Sequence, residues 1–315
     1  MSYRFSFSLF RLNIVDVEGL FPSSMSKRVR GDDDLRQVLR GSVGSDMDQV
    51  QKTRSALFKW SLRDYIDLTN IADGREMIYV VLARSVIEQD GLIVTDDGLS
   101  LGTSESYPPL ARAAVVFFDL SRHLVAVEHT GALSQTAWKD FLEKILNHSS
   151  FSLGKHSFIS LEPISGNNHI VGLLLSFDKL FRMRLTLRIP NPELNRYTKD
   201  LYDDLVESGI REFTQDMKNP NGISQHQNSR AFASAVLAEQ GYKEGEVLFE
   251  GLKDDSVLTL RSGLDAVRGG VRGLRDFIRG MSVNLKTKEA KLAIKAIIDE
   301  IDKIHPEKLT YEEND

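Results

Sequence analysis

AAVVFFDLSRHLVAVEH (residues 113–129), followed closely by SQTAWKDFLEKILN (134–147), decides the fold class. Two short apolar runs flank a turn at Asp119 to Arg122, the signature of a β-hairpin. Trp138, Phe141, Leu142, Ile145 and Leu146 then recur at helical spacing. Strand, strand, helix predicts an α+β fold: a mixed or antiparallel sheet with packed helices.

Upstream, MIYVVLARSVI (77–87) has strand composition and is expected beside the hairpin in one sheet. Asp46 is placed to cap a helix running to about Trp60. The polar stretch GDDDLRQVLRGSVGSD (31–46) reads as a loop containing a short helix. Near the start, Tyr3, Phe5, Phe7 and Leu9 share one parity, while Phe10, Leu12 and Ile14 take the other, which predicts a strand with a bulge near Leu9.

Downstream, HSFISLEPI (156–164) and RMRLTLRIP (182–190) read as strands, and NHIVGLLLSFDKL (168–180) fits helix or strand. Residues 192–209, with Pro192 near the start and Gly209 at the end, predict a helix. KNPNGISQHQNSR (218–230) collects breakers and predicts a linker or long loop. The expected organisation is an α+β core over 1–217, that linker, and a smaller region over 231–315 that becomes helical toward its end. There, RAFASAVLAEQG (230–241) is helical, GEVLFEG (245–251) and DSVLTLRSG (255–263) are short strands, and KTKEAKLAIKAIIDEIDKIH (286–305) is an amphipathic helix.

The chain contains no cysteine and seven scattered histidines, so no thiolate metal site exists and neither metal nor cofactor is expected. The opening segment lacks the continuous apolar core of a signal peptide, and no run approaches a membrane span, so a cytoplasmic chain with no direct membrane insertion is expected.

Although the formal net charge is −5, residues 261–295 hold nine Lys/Arg against three Asp/Glu, and the last twenty residues reverse the balance with two against seven. In RGGVRGLRDFIRG (268–280), a helical reading puts Arg268, Arg272, Arg275 and Arg279 in one stripe about 60° wide. Val267, Val271, Leu274, Ile278 and Met281 form a second stripe, and the glycines weaken the helix by about 1 kcal/mol each relative to alanine. An arginine ridge, continued by Lys286 and Lys288, suits phosphate, because a guanidinium can bind it bidentately. The alternative is a solvated face paired with the acidic tail or with Asp32, Asp33 and Asp34. Arg182, Arg184 and Arg188 alternate along one strand and form a second set of candidate phosphate contacts.

No phosphate-binding loop, dinucleotide fingerprint, zinc-protease or hydrolase motif occurs. Glu289–Lys291 has a spacing found in nucleases, but it lies on a helix where such pairs are routine surface features. His123 and His129 fall on one face of the hairpin and Glu128 on the other, which disfavours a shared metal site. No catalytic residue is assigned.

The segments AVVFFDLSRHLVAVEHTGALSQTAWKDFLEKIL (114–146) and FISLEPISGNNHIVGLLLSFDKLFRMRLTLRIPNPE (158–193) resemble the RexA-like phage-exclusion proteins. The similarity lies in the hairpin, the helix entry at TGALSQTAWKDFL, the strand ending at Glu162, Pro163 and Ile164, and the basic strand before Pro190. It implies an anti-phage defence protein that binds DNA, senses infection and signals to a membrane-protein effector encoded nearby.

Three functions compete. The first is a non-enzymatic, sequence-independent DNA-binding sensor, expected as a homodimer. The second is a metal-dependent nuclease-like effector assembled from dispersed residues such as Asp119, His129, Glu162 and Asp178. The third is a protein–protein adaptor that docks through the amphipathic segments at 264–281 and 288–304.

Overall fold

A computed structural model describes residues 4–16, 29, 31–96, 98–105, 110–155, 157–166, 170–188, 205, 208, 210, 212–254, 256–262, 266–281 and 285–306. The fold is α+β, built on two antiparallel sheets. The first sheet runs β13 (Arg268–Arg272), β1 (Arg4–Asp16), β7 (Leu124–Glu128), β6 (Ala111–Asp119), β4 (Met77–Thr95), β3 (Ala56–Asp67), β2 (Gln49–Lys52). β8 (Ser157–Pro163) also pairs with β1, and β5 (Gly98–Glu105) with β4. The second sheet runs β10 (Glu212–Ile223), β9 (Lys179–Arg188), β11 (Lys243–Lys253), β12 (Ser256–Arg261).

The hairpin and its helix form as the sequence predicts: β6 pairs with β7, and α2 (Gln135–Ser152) follows. α2 and α1 (Asp32–Gly41) cover one face of the first sheet, where Trp60 stacks on Phe141 and Phe10 meets Trp138 edge-on. α2 also closes the outer edge of β8. The Asn147 side chain accepts from the Ile159 N–H and donates to the Ile159 carbonyl, and Glu143 accepts from the Leu161 N–H.

β1 has no bulge at Leu9. Its parity changes because both faces are buried: Phe10, Leu12 and Ile14 enter the core under α2, and Phe5, Phe7 and Leu9 enter a second core on the opposite face. That second core is closed by α5 (Arg275–Arg279) and α6 (Lys288–Ile304), whose Ala290, Ala293, Ile294, Ile297 and Ile301 line the buried stripe.

Other local expectations give way to tertiary packing. Residues 46–60 form a short 3-10 turn and strands instead of a helix, because Trp60 and Leu62 alternate into the sheet core. Residues 170–175 are helical (α3), and α4 (Arg230–Leu237) runs into a π-helical turn at Ala238–Tyr242. The helix expected at 192–209 lies largely outside the described residues.

The expected linker at 218–230 begins inside β10. Lys218 pairs with Arg182 and Ile223 with Leu180, and a register irregularity between them absorbs the breaker residues. A boundary there would therefore run through the second sheet, which packs its apolar face on α3 and α4.

The two sheets meet at a buried polar junction. Arg11 donates to the carbonyls of Arg122 (2.9 Å) and Gln240 (3.0 Å) and lies over the Tyr242 ring. Asn13 donates to the Gly241 carbonyl at 3.3 Å. Gly241 has φ +92°, and a Cβ there would sit 2.6 Å from the Arg11 Cβ, so close approach and backbone conformation both require glycine.

Candidate nucleic-acid interface

The stretch at 268–280 is not one amphipathic helix. Arg268–Arg272 is strand β13, and only Arg275–Arg279 is helical. The glycines explain the difference: β13 lies flat against β1, and a Cβ at Gly269 would be 2.5 Å from the Phe7 ring. A Cβ at Gly270 would occupy the space taken by the Arg4 guanidinium. The expected single stripe of four arginines is therefore divided between two elements.

The division separates two kinds of arginine. Arg279 ion-pairs at 2.7 Å with Glu128, a carboxylate only 3% exposed that also accepts from the Val115 N–H, and Arg275 lies at 3.9 Å from it. Arg268 and Arg272, on β13, are exposed and form no ion pair among the described residues.

Strand register then brings in arginines that no sequence motif marks. Arg272 stands directly opposite Arg4, and Arg112 directly opposite Arg84. Following the pairings β13–β1–β7–β6–β4 puts all four side chains on one sheet face at one end, in a row about 19 Å long at the usual strand spacing. β7 stops at Glu128, before the row, and the exposed His129 follows it, while Arg268 lies four residues along β13 on the same face. No carboxylate ion-pairs with Arg4, Arg84, Arg112, Arg268 or Arg272 among the described residues. The Arg84 guanidinium rests on the Phe58 and Trp60 rings, and burial together with the charge of Arg112 draws its pKa down.

The basic strand of the second sheet differs. Arg182 is clamped by Asp216 (2.8 Å) and Glu250 (3.1 Å), and Arg188 by Glu244 (2.6 Å) and Glu212 (3.5 Å). The hydrogen bond from Arg182 holds the Asp216 carboxyl well below the ordinary carboxylate range. Cross-strand acids thus neutralise two of the three arginines, and Arg184 is exposed between them. Lys286 and Lys288 are exposed at the entry to α6.

A separate ionisable cluster lies near the sheet junction. Glu162, on β8, is 7% exposed and its carboxyl is pushed up to about 7 by burial, against the opposing charges of Lys139 and Lys243. Lys243 is fully buried, donates to the Gly245 carbonyl at 2.9 Å, and has its pKa drawn down by burial. Asp119 is held by Arg75 and Ser121, which gives it a structural partner set. Among the described residues no group of three His, Asp or Glu side chains is placed to hold a metal ion, and no helix is long and apolar enough to cross a membrane.

None of the curated proteins matches the chain. Residues 103–256 match the model of a family described as a domain of unknown function, DUF4747, a segment that contains Arg112 and the Arg182–Arg188 strand but ends before β13.

Proposed function

We propose that this chain binds nucleic acid through its sugar–phosphate backbone, without sequence preference, using Arg4, Arg84, Arg112, Arg268 and Arg272. The observation that carries the reading is the contrast in pairing. These arginines share one sheet face with no ion-paired acid among the described residues, whereas Arg182, Arg188 and Arg279 are each held by a carboxylate. Guanidiniums without an internal ion pair can contact phosphate and release the counterions condensed on the nucleic acid. An acidic overall balance does not oppose this, because the binding field is local. The resemblance to RexA-like proteins supports a role as an anti-phage sensor that signals to a membrane-protein effector.

The test is binding of purified protein to a labelled random-sequence duplex across a salt series. Changing Arg4, Arg84, Arg112 and Arg272 together to Ala is expected to flatten the log–log salt slope by about 0.9 for each phosphate no longer neutralised. Changing Arg182 and Arg188 to Ala is expected to leave the slope nearly intact. A wild-type protein that fails to bind at low salt would sink the reading.

A further inference from the structure

β4 outruns the sheet that holds it. Its pairing with β6 ends at Ser85 and its pairing with β3 at Gln89, yet β4 continues to Thr95 against β5. Residues 91–102 therefore form a two-stranded ribbon that reaches about 16 Å beyond Asp90. Such a ribbon is marginally stable in water by itself.

A bulge at its root decides which way the ribbon faces. β3 pairs Phe58 with Val86 but Leu57 with Glu88, so Ile87 is an extra residue and the parity of β4 changes there. Arg84, opposite Trp60, lies on the α2 side of the sheet. Past the bulge, Glu88 and Leu92 turn to the other side, the side that α6 covers. Register puts Glu105 directly opposite Glu88 and Leu101 directly opposite Leu92, with Leu99 on the same ribbon face. Leu92, Leu99 and Leu101 are 67%, 68% and 86% exposed, and apolar surface left bare in this way marks an interaction site. Within 88–105 the chain carries Glu88, Asp90, Asp96, Asp97 and Glu105 and no Lys or Arg. Nothing in the ribbon therefore offsets the like-charge pair at its root, which weakens the pairing.

α6 carries the complement. Lys288, Lys291, Leu292 and Lys295 are exposed and fall within a sector about 100° wide, and Leu292 is 60% exposed. Between 286 and 295 the chain has four lysines and one acid, Glu289. Lys288, Lys291 and Lys295 form no ion pair among the described residues, and neither do Glu88 and Glu105. Lys288 and Lys291 also stand in the first turn of the helix, where the macrodipole disfavours cations. Each surface thus holds like charges that its own element does not compensate, and each carries bare leucine.

We infer that the β4–β5 ribbon docks on a second copy of this chain, with Glu88 and Glu105 against the partner's Lys291 and Lys295 and the ribbon leucines around the partner's Leu292. Both surfaces lie on the same side of the first sheet, so a two-fold axis that sets those sides face to face makes the contact twice, isologously. The inference stands apart from nucleic-acid binding, because the arginine row lies on the α2 side and stays open in such a dimer.

Sedimentation of the full chain without nucleic acid tests it. The wild type is expected to be a dimer that weakens as salt is raised. Leu92→Asp with Leu101→Asp should raise its dissociation constant at least about tenfold. Glu88→Lys with Glu105→Lys, and separately Lys291→Glu with Lys295→Glu, should each give monomers, and the chain carrying all four charge changes should dimerise again. Recovery in the combined variant separates docking from misfolding. A monomeric wild type, a dimer indifferent to these changes, or charge variants that dissociate singly without recovery when combined would overturn the inference.

Discussion

Arg4 on β1 stands directly opposite Arg272 on β13, and the Arg4 guanidinium lies over the backbone of Gly270. Two positive charges in register weaken a sheet by roughly 0.2–1 kcal/mol. Arg272→Gln is therefore expected to leave the melting temperature unchanged or slightly raised while weakening phosphate binding. Thermal melts and binding isotherms on one preparation check this; a lower melting temperature with unaltered binding would contradict it.

Arg279 has the opposite role. Its removal strands the buried Glu128 carboxylate, so Arg279→Ala should cost about 1–3 kcal/mol. Denaturant titration should show that loss, and the salt slope of duplex binding should stay at the wild-type value. Arg275→Ala, which touches the same carboxylate only at 3.9 Å, should cost less.

Gly269→Ala puts a methyl group against the Phe7 ring, where the strand has no room to retreat from its partner. About 1–3 kcal/mol of destabilisation is expected. A neutral result in chemical denaturation would show that β13 lies less closely on β1 than their register requires.

Glu162 sets a pH dependence. Its folded pKa, about 7, lies above the ordinary carboxylate value, so the folded state holds the proton more tightly than the unfolded state. The stabilisation is complete below about pH 4.5 and is lost as pH rises through 7, by up to about 3 kcal/mol. Glu162→Gln should flatten the stability curve between about pH 5 and 8; an unchanged curve would reject this assignment.

Where burial is one-sided, the residues announce their structure. α2 and α6 each show a single apolar period and form as expected, and the hairpin at 113–129, buried on both faces, is legible from two short apolar runs around a turn. Where both faces are buried, period carries less information. The parity change in β1 predicts a bulge but reflects two cores, and the alternation of Trp60 and Leu62 is hidden by helix-compatible neighbours. The arginine row is half legible. Arg268 and Arg272 stand out in a basic stretch, but Arg4, Arg84 and Arg112 are isolated residues that only strand register brings together. Conversely, the even spacing of Arg182 and Arg188 conceals the acids on β10 and β11 that neutralise them.

Among the described strands of the first sheet, β1 is synthesised first and β13 last, and the two pair directly. Until β13 and α6 have been synthesised, Phe5 and Phe7 lack part of the cover that buries them. So long a loop closure makes folding slow and leaves an apolar strand edge exposed on the nascent chain. Closure of the first sheet thus waits until the second sheet has been synthesised, and the interval before it is when a chaperone would matter most.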